Sequence, residues 1–348
     1  MYISLNVTEP LISAYPSIAN LLSVLGTEER CVPWICNHFN QLLYYQEEPD
    51  GKGAGTFIEH NVRELEYPHH EISFLRTSIV RYDQISRFWQ SFVEFVKQHM
   101  EMGYYIQIPL NLRMIKRSGQ TEDFMHPTMF FGFYEDTQQM AIADFYNNRR
   151  YRRYLVTLHE VEEAYRHSFK DYIYRDEALL FRFYHDEPYP QIDREQIRAS
   201  LQDLLSSKDS SRKYLGSYRN RNRIFYYGLA FICQLIKDIL ARQADFRSIH
   251  VLCDFLKLWI WKLERIPVFP QAVSELSKQL TEAHRRSTLI RNKFIKYELV
   301  HGGQDGIPES RLVALAEECQ WLQQEISNIT CKILNESTAR NKGVKDTS

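Results

Sequence analysis

The spacing of the apolar residues changes along the chain, and this change limits the folds open to it. Between residues 104 and 156 the apolar residues form short, nearly continuous runs, which indicate strands of a sheet covered on both faces. Between about 190 and 340 they recur at helical spacing instead. We therefore expect an α+β N-terminal domain at 1–185, a helical C-terminal domain at 186–340 and a frayed polar tail at 341–348.

Several elements of the first domain can be predicted from local signals. Residues 16–25 place their apolar side chains on one helical face, and Gly26 follows as a stop signal. A longer helix is expected at 78–99. Thr157 and Glu160 have the spacing of a capping box, which predicts the start of another helix at that point.

The composition narrows the functional classes. Forty-three Lys and Arg residues balance 44 Asp and Glu residues, which argues against a nucleic-acid partner. The chain has only 13 glycines and no GxGxxG or GxxxxGK[ST] motif, so a Rossmann or P-loop nucleotide site is not expected. There is no apolar run near the roughly 20 residues of a membrane span, no secretory signal pattern and no paired cysteine framework. We therefore expect a cytoplasmic protein that has no membrane partner.

His126 and Asp144 form the sharpest candidate site. They lie towards the far ends of two expected strands, 126–134 and 140–145, and a three-residue turn centred on Glu135 would set them opposite each other. Cross-strand partners bring their Cβ atoms within about 4.5–5.5 Å. The carboxylate could then hold the imidazole N–H, fix its tautomer and stabilise its cation, as an orienting acid does for a general base. The alternative is a strand-end histidine and a turn-forming aspartate without a catalytic role.

A general base of this kind commonly serves a nucleophile at the N-terminus of a helix, where backbone N–H groups bind an oxyanion and lower the pKa of a thiol. No cysteine lies near the start of the first helix, and Ser13 and Ser17 are the candidate nucleophiles there. Both serines could instead be helix-capping or first-turn residues. Cys36 is kept as a displaced thiol nucleophile, although Cys31 and Cys36 are better interpreted as small buried thiols.

Two further groups of residues are weaker candidates for a functional site. Cys31, Cys36 and His38 do not have the spacing of a common zinc motif, and we expect no metal site. The arginines of the segment 149–153 alternate with tyrosine, and they could attract an anionic partner such as a carrier protein. The same arginines could simply form the solvated edge of a sheet.

The order of these segments resembles the N-terminal domain of the butirosin biosynthesis protein H family and its relatives in natural-product gene clusters. These relatives have papain-like folds similar to the bacteriocin-processing cysteine peptidases. In the first half the resemblance rests on AYPSIANLLSVLG at 14–26, GYYIQIPL at 103–110, HPTMFFGFYED at 126–136 and IADF at 142–145. In the second half it rests on FYYG at 225–228, DFRSIH at 245–250 and RNKFIKY at 291–297.

The resemblance implies a papain-like N-terminal domain and an acyltransferase of nonribosomal peptide or polyketide biosynthesis. Such an enzyme moves an acyl group from an acyl or peptidyl carrier protein thioester to a small-molecule amine and forms an amide. It implies no cofactor apart from the phosphopantetheine that the partner carrier protein holds. His126 would match the family's base and Asp144 its orienting acid.

The chain departs from the family at the nucleophile, which is a cysteine at the start of the first helix. Ser13, Ala14 and Tyr15 occupy that window here. Three possibilities follow: Ser13 or Ser17 replaces the cysteine, His126 activates the amine without a covalent step, or the chain is a non-catalytic binding or scaffold member. A peptide or thioester hydrolase would use the same residues.

Overall fold

The computed structural model describes residues 2–46, 53–58, 72–146, 150–168, 177–210, 224–266 and 273–343. The protein is mixed α/β with antiparallel sheets. The strands are β1 (Tyr2–Ser4), β2 (Leu42–Gln46), β3 (Gly53–Phe57), β4 (Leu75–Arg81), β5 (Tyr105–Asn111), β6 (Met125–Tyr134), β7 (Gln139–Tyr146), β8 (Arg150–Thr157), β9 (Glu177–Phe183) and β10 (Ile224–Tyr227).

The described part of the chain also contains α-helices. They are α1 (Pro16–Leu25), α2 (Val32–Asn37), α3 (Tyr82–Phe88), α4 (Phe92–Glu101), α5 (Leu158–Arg166), α6 (Arg194–Leu205), α7 (Leu229–Leu240), α8 (Phe246–Leu263), α9 (Val273–His301) and α10 (Glu309–Gly343). None of the helices in the described residues combines the length and the apolar character needed to cross a membrane.

The chain divides into two compact units. Unit 1 comprises Met1–Cys31 and Leu65–Tyr189, and unit 2 comprises Val32–Glu64 and Pro190–Ser348. The break after Tyr189 lies close to the boundary expected at 185/186, but the early segment from Val32 to Glu64 belongs with the later residues. The reason is strand pairing, because β2 is hydrogen-bonded to β10 on one side and to β3 on the other.

Unit 1 is built on a seven-stranded antiparallel sheet in the order β4-β9-β5-β6-β7-β8, with β1 paired to the end of β6. One face packs against α3, α4 and α5 through a core that includes Phe95, Phe130 and Ile142. The other face packs against α1, where Ala19 lies in one cluster with side chains such as Met129. Coverage on both faces explains the nearly continuous apolar runs of these strands.

Two helices expected from the sequence begin later than predicted. The segment 78–99 was predicted as one helix, but its first residues belong to β4, which pairs with β9 over its whole length. The helical part is broken into α3 and α4, and Ser91 caps α4 by accepting a hydrogen bond from the backbone N–H of Glu94. In the second half, where the sequence predicted only helices, residues 211–223 lie outside the described chain and β10 precedes α7. Local periodicity does not reveal pairing with a distant strand.

Unit 2 places its three-stranded sheet β10-β2-β3 beside a set of helices. Helix α8 packs against α9, and α7 packs against α10, while α9 and α10 also contact each other. The last helix ends at Gly343, so the first residues of the predicted frayed tail, 341–343, belong to this helix. The remaining tail residues, 344–348, lie outside the described chain.

Candidate functional site

The hairpin that carries the candidate site differs from the expected one in its turn and register. The strand pair begins at Tyr134 opposite Gln139, which leaves a four-residue turn at 135–138 instead of the predicted three. A bulge follows between Phe130 and Gly132. The prediction that His126 lies directly opposite Asp144 is therefore wrong, because turn length and bulges are not encoded in the alternation of apolar residues.

Backbone pairing between β6 and β7 ends at Met129 and Ala143. Beyond that point β6 continues beside β5, and β7 continues beside β8. Side chains join the two strands there: Nδ1 of His126 contacts Oδ1 of Asp144. The structure thus brings His126 and Asp144 together although their register is shifted.

Asp144 is completely buried, and both oxygens of its carboxylate are engaged. Oδ1 accepts from His126 and from the backbone N–H of Phe145 at 2.6 Å, and Oδ2 accepts from the hydroxyl of Thr128. Burying a carboxylate is costly unless hydrogen bonds replace its water shell. These donors supply that compensation. Two of them, the backbone N–H of Phe145 and the hydroxyl of Thr128, are neutral groups whose hydrogen bonds do not depend on the protonation of the imidazole.

The imidazole of His126 lies between aromatic rings. Phe124 stacks on it with ring centroids 5.3 Å apart, and Phe145 approaches edge-on at 5.7 Å. Phe124 is itself 42% exposed, and its backbone N–H donates to Oδ1 of Asn111 at 3.3 Å. The His126 side chain keeps 16% of its surface exposed. Because Nδ1 faces Asp144, Nε2 is the nitrogen that remains for proton exchange with a substrate.

Of the two candidate serines, Ser17 belongs to α1, which packs on the face of the sheet that carries Met129 and Ala143. Side chains alternate along a strand, so Thr128 and Asp144 share the face of Phe130 and Ile142, whereas α1 packs on the opposite face. Ser17 is 2% exposed in the first turn of α1, and Ser13 precedes the helix. Within the described residues the hydrogen-bond partner of His126 is Asp144, and neither serine is brought into hydrogen-bonding contact with the imidazole.

A buried polar network holds α1 against the sheet, and sequence reasoning missed it. Asn20 donates to Oε1 of Gln107 at 2.7 Å and accepts from the hydroxyl of Tyr151 at 2.8 Å. Burial raises the pKa of the Tyr151 hydroxyl, so this group stays protonated as a donor. Asn20, an amide side chain among the apolar residues of this helical segment, was the signal that could have indicated the network.

The thiol alternatives have unreactive environments. Burial raises the pKa of Cys31 to about 12, and burial likewise raises the pKa of Cys36. Thiolates are the reactive form, so both residues behave as small buried side chains. Burial lowers the pKa of His38 to about 4, and its Nδ1 donates to the backbone oxygen of Trp34 at 2.7 Å. Across the described ranges no group of three or more His, Cys, Asp or Glu side chains is arranged to hold a metal ion.

The arginine segment lies on an edge strand. Arg152 and Arg153 are exposed on β8, and Arg153 donates to the backbone oxygen of Val7 at 3.1 Å. Arg149 and the side chain of Arg150 lie outside the described residues. The exposed part of the segment is compatible both with an anionic partner and with a charged strand edge.

No protein-family model matches the chain, and a search of curated proteins finds no significant match. The protein is therefore described by its fold and its candidate site alone. It is a mixed α/β protein with antiparallel sheets, in which a partly exposed histidine is paired with a buried, fully hydrogen-bonded aspartate.

Proposed function

We propose that the protein is an amide-forming acyltransferase of natural-product biosynthesis, with His126 as its general base. The observation that carries the proposal is the contact between Nδ1 of His126 and the buried Asp144, which leaves Nε2 for a substrate. The sequence resemblance to the butirosin biosynthesis protein H family supplies the substrate class and the papain-like fold. The proposed partners are an acyl or peptidyl carrier protein, which carries the phosphopantetheine, and a small-molecule amine in the cytoplasm.

In the proposed reaction the amine attacks the thioester carbonyl while Nε2 of His126 takes its proton. The new C–N bond forms, and Asp144 stabilises the imidazolium through Nδ1. The C–S bond then breaks, and the proton on Nε2 passes to the departing thiolate, so that the products are an amide and the carrier thiol. Direct transfer is favoured over a serine ester because the described contacts of His126 include Asp144 and neither Ser13 nor Ser17.

The proposal is tested with an acyl carrier thioester and an amine, by following amide formation by mass spectrometry. We expect His126→Ala to lower kcat by about 10²–10⁴-fold, the usual contribution of a general base. His159→Ala is the matched control, because His159 is an exposed histidine on α5 of the same unit. Equal rates for wild type and His126→Ala would contradict the proposal.

Single Ser13→Ala and Ser17→Ala variants separate direct transfer from a covalent route. Direct transfer predicts that both keep kcat within about threefold of wild type, since neither oxygen takes part in bond formation. A loss as large as that of His126→Ala in either variant, with trapping of an acyl-serine, would instead show a serine nucleophile. A free acid as the sole product would indicate a hydrolase.

A non-catalytic binding or scaffold role is the second candidate. It is favoured by the small exposed fraction of the His126 side chain, which is 16%. This candidate predicts that wild type and His126→Ala bind the loaded carrier protein equally and that neither forms product. Fluorescence anisotropy with a labelled carrier protein measures that binding.

A further inference from the structure

The carboxylate of Asp144 has a second side-chain partner that the sequence did not single out. Thr128 lies on β6, is completely buried, and donates its hydroxyl proton to Oδ2 of Asp144. The backbone oxygen of His126 is also near this hydroxyl, at 3.4 Å. A hydroxyl has one proton, and the charged carboxylate is the stronger of the two acceptors.

The position of Thr128 gives this bond a particular importance. The ladder between β6 and β7 stops at Met129 and Ala143, so the backbone does not hold the two strands together at Asp144. The terminal torsion of an aspartate is broad and roughly two-fold, which leaves a carboxylate free to rotate unless both oxygens are held. The backbone N–H of Phe145 and the imidazole of His126 both bind Oδ1, and the hydroxyl of Thr128 binds Oδ2.

We infer that Thr128 is a positioning residue, whose hydroxyl fixes the carboxylate of Asp144 so that Oδ1 is presented to Nδ1 of His126. The imidazole is thereby kept in the tautomer that carries its proton on Nδ1 and presents Nε2 to a substrate. Thr128 acts through Asp144 and does not touch the reacting atoms. The kinetic consequence of this inference rests on the proposed function, whereas the tautomer of His126 can be measured without it.

The competing explanation is that Thr128 is only a β-branched residue that packs well in a strand. Thr128→Val and Thr128→Ser separate the two roles. Valine keeps the branched shape and removes the hydroxyl, while serine keeps the hydroxyl and removes the methyl group. A positioning role therefore predicts damage in the valine variant and rescue in the serine variant, and a packing role predicts the reverse.

The first measurement is the side-chain nitrogen NMR spectrum of the full chain labelled with ¹⁵N-histidine, with the His126 signals assigned by their loss in His126→Ala. We expect one tautomer, with the proton on Nδ1, in wild type and in Thr128→Ser, and a mixture of tautomers in Thr128→Val. An unchanged single tautomer in Thr128→Val would overturn the inference. If the valine variant does not fold, loss of the single tautomer in Thr128→Ser would overturn it instead.

The second measurement is amide formation by the same variants. We expect kcat of Thr128→Val to fall about tenfold, which corresponds to about 1.4 kcal/mol of transition-state stabilisation, with KM within about twofold of wild type. Thr128→Ser should recover most of kcat. If wild type forms no amide, the proposed function fails while the tautomer measurement still decides the role of Thr128.

Discussion

Two of the buried carboxylates, Asp144 in unit 1 and Asp238 in unit 2, lie in networks of hydrogen-bond donors, and the two networks differ in the exposure of their partners. In unit 1, Asp144 is held by Thr128, by the N–H of Phe145 and by the imidazole of His126. In unit 2, Asp238 on α7 accepts from the hydroxyl of Tyr44 and from Gln234 at 2.8 Å. Both carboxylates are almost completely buried.

The difference lies in the exposure of the side chain that faces each carboxylate. The imidazole of His126 keeps part of its surface exposed, so the first network reaches the surface of the protein. Tyr44 is completely buried; burial, together with Asp238, raises the pKa of its hydroxyl, and burial also raises the pKa of Asp238. The second network therefore works as a crosslink between β2 and α7. The number of donors does not distinguish the two networks, whereas the exposure of the side chain that faces the carboxylate does.

The largest expected effect comes from replacing each carboxylate by its amide. We expect Asp144→Asn to lower kcat for amide formation by about 10²–10⁴-fold, because an amide does not favour the Nδ1–H tautomer or stabilise the imidazolium. Asp238→Asn should leave kcat within about twofold. Steady-state kinetics under saturating substrate measures kcat of both variants. Equal losses of kcat would show that the two carboxylates do not differ in their roles.

Removal of the tyrosine donor tests the structural network. We expect Tyr44→Phe to lower the free energy of unfolding by about 1–3 kcal/mol, because the buried Asp238 loses a partner. Tyr226→Phe is the matched control, since the Tyr226 hydroxyl is half-buried and makes a long bond of 3.4 Å to Gln46. Urea denaturation gives both values, and a larger loss in Tyr226→Phe than in Tyr44→Phe would contradict the crosslink.

His38 extends the comparison to the imidazoles, because it donates to a backbone oxygen instead of a carboxylate. Burial lowers its pKa to about 4, so between pH 6.5 and pH 4 the unfolded chain binds a proton that the folded chain does not. The free energy of unfolding should therefore decrease as the pH falls through this window, by about 2 kcal/mol between pH 7 and pH 5.

The check is a pair of urea denaturation curves at pH 7 and pH 5 for wild type and His38→Gln. The glutamine variant should lose the part of the pH dependence that His38 contributes. An identical dependence in both proteins would show that His38 is not the group responsible.

The smallest expected effect concerns the aromatic ring beside His126. Phe124→Ala should change the free energy of unfolding by no more than about 0.5 kcal/mol, because the residue lies at the surface and is 42% exposed. Loss of the stacked contact should lower kcat/KM about two- to fivefold. Phe88→Ala is the control, since Phe88 is 67% exposed in the same unit and stands next to Trp89. Equal values of kcat/KM for both variants would show that Phe124 does not contribute to the site.

Local signals in the sequence were sufficient to predict a structural feature wherever its interacting residues lie within a few positions of each other in the chain. The capping box at the start of α5 is present as expected, with Glu160 N–H donating to Thr157 and Thr157 N–H donating to the Glu160 carboxylate. Helix α1 also begins and ends where Pro16 and Gly26 indicate. Such contacts depend on helical geometry alone, so their residue types and spacing can be recognised in advance.

Other features depended on contacts between residues far apart in the chain. The pairing of β2 with β10 moved the segment from Val32 to Glu64 into the second unit, and the pairing of β4 with β9 replaced an expected helix. Thr128 became a partner of Asp144 through a turn one residue longer than expected and a bulge. None of these pairings leaves a local pattern, because strand register is decided by the packing of both faces at once.

By itself the sequence determined which residue types were available to the site and that His126 and Asp144 lie on neighbouring strands of one hairpin. Only the tertiary structure decided which nitrogen of the imidazole faces the carboxylate, which hydroxyl holds its second oxygen, and on which face of the sheet α1 lies. The physical reason is that residue identity sets what a side chain can donate or accept, whereas burial and distance, which decide whether it does so, arise when the whole sheet and its covering helices pack together.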